Sequence, residues 1–498
     1  MDDRRKPTIG DMPPEVMLLI FDFVAGVAPS VESLHEQPTA ILLDGESGSQ
    51  NLKRASLVSR AWRSLTLPLL FRHVLWRPRV TSLSAFTLNP IPLLRFLEEN
   101  WLVANRHHRG GLGGGGVETF TLIVDFVEDG WGAGDDAHPH AHRHSRTGIG
   151  SPRIRSVDLE WLWDQLFSVV DPLRFTIMAP PTTLAAFLSR TLFLDDAWAF
   201  DMPYHILSLS QTRRGEEVPS KSQNMKGSLS DPSLSSAAAA KSDGGEPSSS
   251  QAQAAGPSRS LTSSRRPSRR KKQAPPSPLF TIRPWTALLL NEGSSTRVYK
   301  MYEFFLRRPP SLLGALLGCE GEESHNDGNS PPPLIPQTVS DLSYVAVFPL
   351  SSHVEATLAP HLPPHVVRLF VRLSPTPKSR LFLEENGDEM RRIDPADLWM
   401  ERNAAYHSLM REFIAAFSPR SPSSPSWFSP PPGAGGEEER PSNWANLRVF
   451  ETGDAAADRE AWDITCRSLE RSGVGGWEVE REGVLVRCDD GDGNLLSV

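Results

Sequence analysis

The chain has 498 residues, a net charge of −8, 44 prolines and 39% apolar residues. That length holds two or three domains, and the low apolar share beside so much proline implies folded parts diluted by unfolded ones. The net negative charge argues against general polyanion binding, and three isolated cysteines (Cys319, Cys466, Cys488) argue against a disulfide framework or a zinc finger.

The charged start "MDDRRKPTIG" lacks the apolar core of a signal peptide. No run approaches the ~18 to 20 apolar residues of a membrane span. The expectation is a soluble protein, cytoplasmic and/or nuclear, without membrane contact.

The first predicted element is a helix over Pro13–Val24. Proline in the first turn and Glu15 behind it are start signals. Val16, Leu19, Ile20 and Phe23 fall on one face at helical spacing, and Met17, Phe21 and Val24 fall on another. Both faces call for burial. A second helix is expected from Asn51 as N-cap, through "NLKRASLVSRAWRSL", with Val58, Ala61, Trp62 and Leu65 as its stripe and Leu52, Ala55 and Leu57 off it. Pro68 should open a short third helix carrying Leu69, Leu70, Phe71 and Val74. So small a unit cannot shelter all these side chains. At about 1.5–3 kcal/mol per large buried side chain, another chain is the natural cover. A helical hairpin packed on the rest of the protein is the plain alternative.

This stretch resembles the F-box. The residues that carry the resemblance are Met12-Pro13-Pro14-Glu15, Leu18-Leu19-Ile20-Phe21, Leu57-Val58-Ser59-Arg60-Ala61-Trp62 and the tail "LPLLFRHV", within residues 8–76. The resemblance implies docking to a Skp-type adaptor and, through it, to a cullin–RING ubiquitin ligase. Pro13, Leu18, Ile20, Phe21, Leu57, Val58 and Trp62 are then the residues expected to make or support that contact. Two departures stand out. Met12 replaces the usual Leu, and 26 residues, Ala25–Gln50, lie where the family has a short turn. This turn-rich insertion is read as an extruded loop, which loop-closure entropy tolerates.

Beyond the N-terminal unit, short apolar runs alternate with helical patterns. Residues 80–210 are expected to form the first part of a strand–helix domain, with "PLLRFLEENWLVAN" helical, "VETFTLIVDFV" a strand, "IRSVDLEWLWDQLFSVV" passing from strand to helix, "LRFTIM" followed by "PTTLAAFLSR", and "YHILSLS". Residues 211–278 contain no Phe, Trp or Tyr and carry twelve Lys/Arg against five Asp/Glu. They read as a disordered basic linker of net +7, leaving −15 on the rest. Residues 279–417 resume the pattern with "PWTALLLNEG", the helical "TRVYKMYEFFLRR", "LSYVAVF", "HVEATLAPHL", "HVVRLFVRL" and a helix over Asp397–Phe417. A Pro/Ser/Gly loop over 418–442 separates the last unit, 443–498, with "NLRVFE" and "DREAWDITCRSLERSG". Shorter breaks fall near 107–148 and 319–336.

Strands alternating with helices favour a parallel sheet. Unit spacing near 20 to 35 residues is that of leucine-rich repeats, although the strict register is missing and a doubly wound sheet competes. The expected fold class is α+β: a three-helix F-box, then an irregular strand–helix α/β solenoid resembling leucine-rich repeats and interrupted by disordered insertions.

Other motifs have plain explanations beside functional ones. Arg265, Arg266, Arg269, Arg270, Lys271 and Lys272 form a basic cluster that suits nuclear import, beside the plainer reading of a solvated charge run in a linker. No aromatic lies near it to stack on bases, which argues against nucleic-acid binding as the main task. His138, His140, His142 and His144 alternate as strand-borne metal ligands would, but their Gly/Asp surroundings indicate a loop. Gly111, Gly113 and Gly116 satisfy G-x-G-x-x-G, yet precede a strand instead of opening a helix, and are rejected as a phosphate site. Ser-Pro pairs at Ser277, Ser421, Ser424 and Ser429 are placed in disordered segments open to phosphorylation. No catalytic constellation, metal site or cofactor motif is read.

The sequence therefore points to a non-catalytic substrate receptor holding an unknown protein target on its strand–helix domain. A scaffold of the same family acting outside a ligase is the alternative, and an enzyme on a doubly wound domain is a third.

Overall fold

The computed structural model describes residue 9 and residues 12–39, 46–78, 88–100, 116–124, 156–190, 204–212, 277–296, 299, 311–319, 333–376, 393–418 and 442–488. All of them belong to one unit, Met1–Arg214 with Ala274–Val498.

The N-terminal part is helical. Helix α1 (Pro14–Ala25) has proline in its first turn and Glu15 beside its N-terminal dipole. A short α2 (Pro29–Glu32) follows, then α3 (Glu46–Ser56) and α4 (Arg60–Leu70). Two expectations are corrected here. The stretch read as one helix starting at Asn51 is two helices. The first begins earlier, at Glu46, and the break falls at Leu57–Val58. Ser59 causes it: its backbone is extended, and its hydroxyl accepts the Trp62 N–H at 3.1 Å, capping a new helix. Pro68 opens no third helix; it lies inside α4, and the chain then enters β1 (His73–Trp76).

Strands and helices alternate from there. They are α5 (Ile91–Glu99), β2 (Thr119–Ile123), α6 (Ser156–Val169), β3 (Arg174–Ala179), α7 (Pro181–Phe187), β4 (His205–Ser210), β5 (Ala287–Ser294), α8 (Leu312–Leu317) and β6 (Asp341–Val347). Then come α9 (Ser351–Ala356), α10 (Leu358–His361), β7 (Arg368–Arg372), α11 (Pro395–Phe417), β8 (Val449–Thr452), α12 (Arg459–Ser472), β9 (Trp477–Arg481) and β10 (Val484–Arg487).

These ten strands form one sheet. Its order follows the sequence from β1 to β8 and ends β10–β9. β1, β2 and β3 are parallel, as are β5 to β8. The parallel expectation fails at β4, which runs antiparallel to both neighbours. The chain starts β4 at the end where β3 stopped, His205 facing Ala179. The terminal β9–β10 hairpin was not expected. It turns at Gly483, whose φ is 80°, and a Cβ there would meet the Thr452 carbonyl oxygen at 2.6 Å.

Side chains alternate across the sheet. Phe120, Phe175, Leu207, Leu290, Tyr344, Leu369 and Phe450 point to one side, into a core shared with α5 to α12. A doubly wound sheet would reverse its strand order and bury helices on both faces; here order follows sequence and these helices share one core. Two buried carboxylates tie the loops beyond the strands. Glu292 accepts the Leu312 N–H at 2.8 Å and the Tyr344 hydroxyl at 3.0 Å. Burial alone would raise its pKa, but His353, His205 and Tyr344 together bring it below the ordinary value. Asp454 accepts from the backbone of Leu373 and Ser374 and from Arg402, itself buried.

The described part of the insertion next to α1, up to residue 39, is not extruded. Ala28, Ser30, Leu34 and Pro38 are buried, and Leu34 packs on the sheet face opposite the helices. Ser277 is also corrected. It is fully buried, and its hydroxyl donates to the Phe187 carbonyl at 2.8 Å, so it belongs to the fold and not to an open linker. Gln211, at the other end of that segment, is built in through its bond to the Pro172 carbonyl. Residues 107–115, 129–148, 213–276, 320–332 and 419–441, and nearly all of the helix expected over 296–308, lie outside the described residues. Among the described residues no helix is long and apolar enough to cross a membrane.

Candidate functional site

The N-terminal helices enclose a small core of their own. Met17, Phe21 and Leu52 are buried in it, with Val24, Ala55, Trp62, Leu65, Leu69 and Leu70 packed around them. The Trp62 ring stands edge-on to Phe21 at 5.1 Å. Of the two apolar faces of α1, the Met17/Phe21/Val24 face is therefore inside. The other is not. Leu19 is 71% exposed and Phe23 90%, with Val16, Leu18 and Ile20 also open.

The break between α3 and α4 adds to this surface. Because Leu57 and Val58 form the turn and are not in a helix, their side chains leave the α3/α4 contact, and they are 78% and 62% exposed. Among the described residues, eleven of the eighteen exposed large apolar side chains lie between Ile9 and Val58. An unburied surplus of this size in one small unit is the pattern of a contact surface rather than of scattered exposure.

The expected site residues divide accordingly. Pro13, Leu18, Ile20, Leu57 and Val58 are exposed. Phe21 and Trp62 are internal supports. Leu19 and Phe23, the most exposed pair of α1, were placed on the right face by their spacing but not singled out. The surface is held to the sheet by Arg72, which pairs with Asp22 of α1 at 2.5 Å and with Glu118 at 3.1 Å. The Arg72 carbonyl also accepts the N–H groups of Glu118 and Thr119. The insertion leads away from α1 onto the sheet, leaving Leu19 and Phe23 open.

The basic cluster Arg265, Arg266, Arg269, Arg270, Lys271, Lys272, the alternate histidines 138–144 and Ser421, Ser424 and Ser429 lie outside the described residues.

Compared with known proteins, the chain matches no family model, no curated protein and no solved structure.

Proposed function

We propose that this chain is an F-box substrate receptor of a Skp–cullin–F-box ubiquitin ligase. The observation that carries this reading is the exposed apolar set Leu19, Phe23, Leu57 and Val58 on a helical unit whose buried side is already filled by Met17, Phe21 and Leu52. A Skp-type adaptor covers that set, with Pro13, Leu18 and Ile20 at its margin. The residues stand in the order of the F-box pattern. The strand–helix sheet then holds a protein target. The chain carries out no bond-breaking itself; it places the target beside a charged conjugating enzyme, turning a bimolecular encounter into a local one.

Affinity capture of the full chain with neddylation blocked tests the reading. Recovery of a Skp-type adaptor together with cullin supports a ligase subunit. Adaptor without cullin supports a scaffold outside a ligase. Recovery of neither overturns the proposal.

A further inference from the structure

On the sheet face opposite the helices, residues in register form rows across the strands. One row reads Ile123, Met178, Ile206, Asn291, Val345 and Arg372. Its first three members are wholly buried although no core helix covers them. Leu34 and Tyr204 pack against them; Leu34 belongs to a turn in the insertion, Ser33–Glu36, closed by the Glu36 N–H donating to the Ser33 carbonyl at 3.0 Å.

This turn is held the way a ligand is held. Leu34 enters a pocket of Ile123, Met178, Ile206 and Leu289. The Asn291 amide donates to the Leu34 carbonyl at 2.8 Å and to the Glu36 carbonyl at 2.7 Å, reading main chain and not side chain. The His35 ring stacks on Phe370 at 4.7 Å and 21°. Thr376 donates its hydroxyl to the Glu36 carboxylate at 2.7 Å. A pocket, a main-chain clamp, a ring platform and a carboxylate acceptor site are four separate elements of specificity. They are contributed by β2, β3, β4, β5 and the β7 region, and all are met by three consecutive residues. By contrast Val31, the neighbouring large apolar side chain of the same segment, stays exposed. The segment contacts the sheet through this turn and through Ser30, whose hydroxyl lies 3.2 Å from that of Thr119.

We infer that this face is a peptide-binding site for a turn that presents a leucine-like side chain, then a flat ring, then a carboxylate, and that Leu34-His35-Glu36 fills it as a built-in competitor. That the incoming segment belongs to the target rests on the proposed receptor role; the site itself rests on the contacts above. A tethered occupant competes at an effective concentration on the order of mM, so a free peptide is tested against a chain whose own turn has been released.

The probe is the acetylated peptide of residues 28–39, added to the full chain carrying Leu34→Asp. The readout is hydrogen peroxide oxidation of Met178, with the exposed Met400 as internal control. Met178 should oxidise at least tenfold faster in Leu34→Asp than in the parent chain, with Met400 unchanged. The peptide should restore protection, and the same peptide with its leucine replaced by aspartate should not. Continued protection of Met178 in Leu34→Asp, or failure of the peptide to restore it, overturns the site. Should Leu34→Asp lose its cooperative melting transition, Leu34→Ala is measured the same way; loss of the transition there too makes the turn part of the obligatory core and also overturns it. Adaptor capture on the same samples separates the two proposals: adaptor retained with no peptide protection sinks only the site, and adaptor absent with full protection sinks only the receptor role.

Discussion

The side-chain amide of Asn291 donates to the main-chain carbonyl of Leu34, 257 positions away, across 2.8 Å. A second hydrogen of the same amide reaches the Glu36 carbonyl at 2.7 Å. The residues after α1 are thus sewn to the middle of the sheet, and the helical unit and the strand–helix region share contacts beyond the short link at Arg72.

Removing that clamp has a measurable cost. Asn291→Ala leaves two carbonyls without their donor and deletes the acceptor of the Gly293 N–H. An unsatisfied buried polar group costs about 1–3 kcal/mol. The expected result is a lower thermal midpoint with faster oxidation of Met178; an unchanged midpoint contradicts the clamp.

Two phenylalanines two residues apart should behave oppositely. Phe21 is buried against Trp62, whereas Phe23 is 90% exposed. Phe21→Ala should destabilise the helical unit by about 3–5 kcal/mol. Phe23→Ala should fall within about 0.5 kcal/mol of the parent. Urea unfolding of both variants checks which face of α1 is inside.

Much of this was legible from residue patterns. The strands at Thr119, Arg174, His205, Ala287, Asp341, Arg368 and Val449 announce themselves by apolar alternation or continuous apolar runs, and both apolar faces of α1 follow from spacing alone. What escaped depends on distance or on single side chains. Val58 keeps helical spacing with Ala61, Trp62 and Leu65, so only the Ser59 cap marks the break. β1 is four residues directly after a helix, too short for period 2 to outweigh the helical pattern before it. The buried turn holds one leucine in a polar stretch, and its partners lie 85 residues or more away, where no local period exists. The reversal of β4 leaves no mark in its apolar pattern, because side-chain alternation is the same in either strand direction.

Acid should loosen the structure through two histidines. Burial first, and then the charges of Arg372 and Arg174, push His35 down to about 4, and burial takes His205 to about 4 as well. Each binds its proton less readily folded than unfolded. The unfolded chain therefore takes up protons below about pH 6.5 while the folded one does not, and stability falls as pH drops from there towards about 4. Above pH 6.5 these groups add no slope. His35→Gln should flatten the fall in thermal midpoint between pH 6.5 and 4.5, and an equally steep fall in that variant would remove His35 as a cause.

Arg402 and Asp454 form a buried ion pair, with Nη2 and Oδ2 3.1 Å apart. Asp454 also serves the backbone of Leu373 and Ser374. Asp454→Ala leaves the guanidinium with Asp458 at 3.1 Å as its remaining carboxylate and orphans the two N–H groups. Breaking such a pair costs about 3–5 kcal/mol, read as a drop in the urea midpoint. A drop below about 1 kcal/mol would mean that Asp458 and solvent replace it.

The most direct measurement is co-purification of a Skp-type adaptor with the full chain and with its Leu57→Asp/Val58→Asp variant, alongside a thermal melt of each. The expected result is adaptor with the parent, none with the double variant, and matching melts, since both side chains face solvent. Equal capture of adaptor by the two chains, or none by the parent, contradicts it.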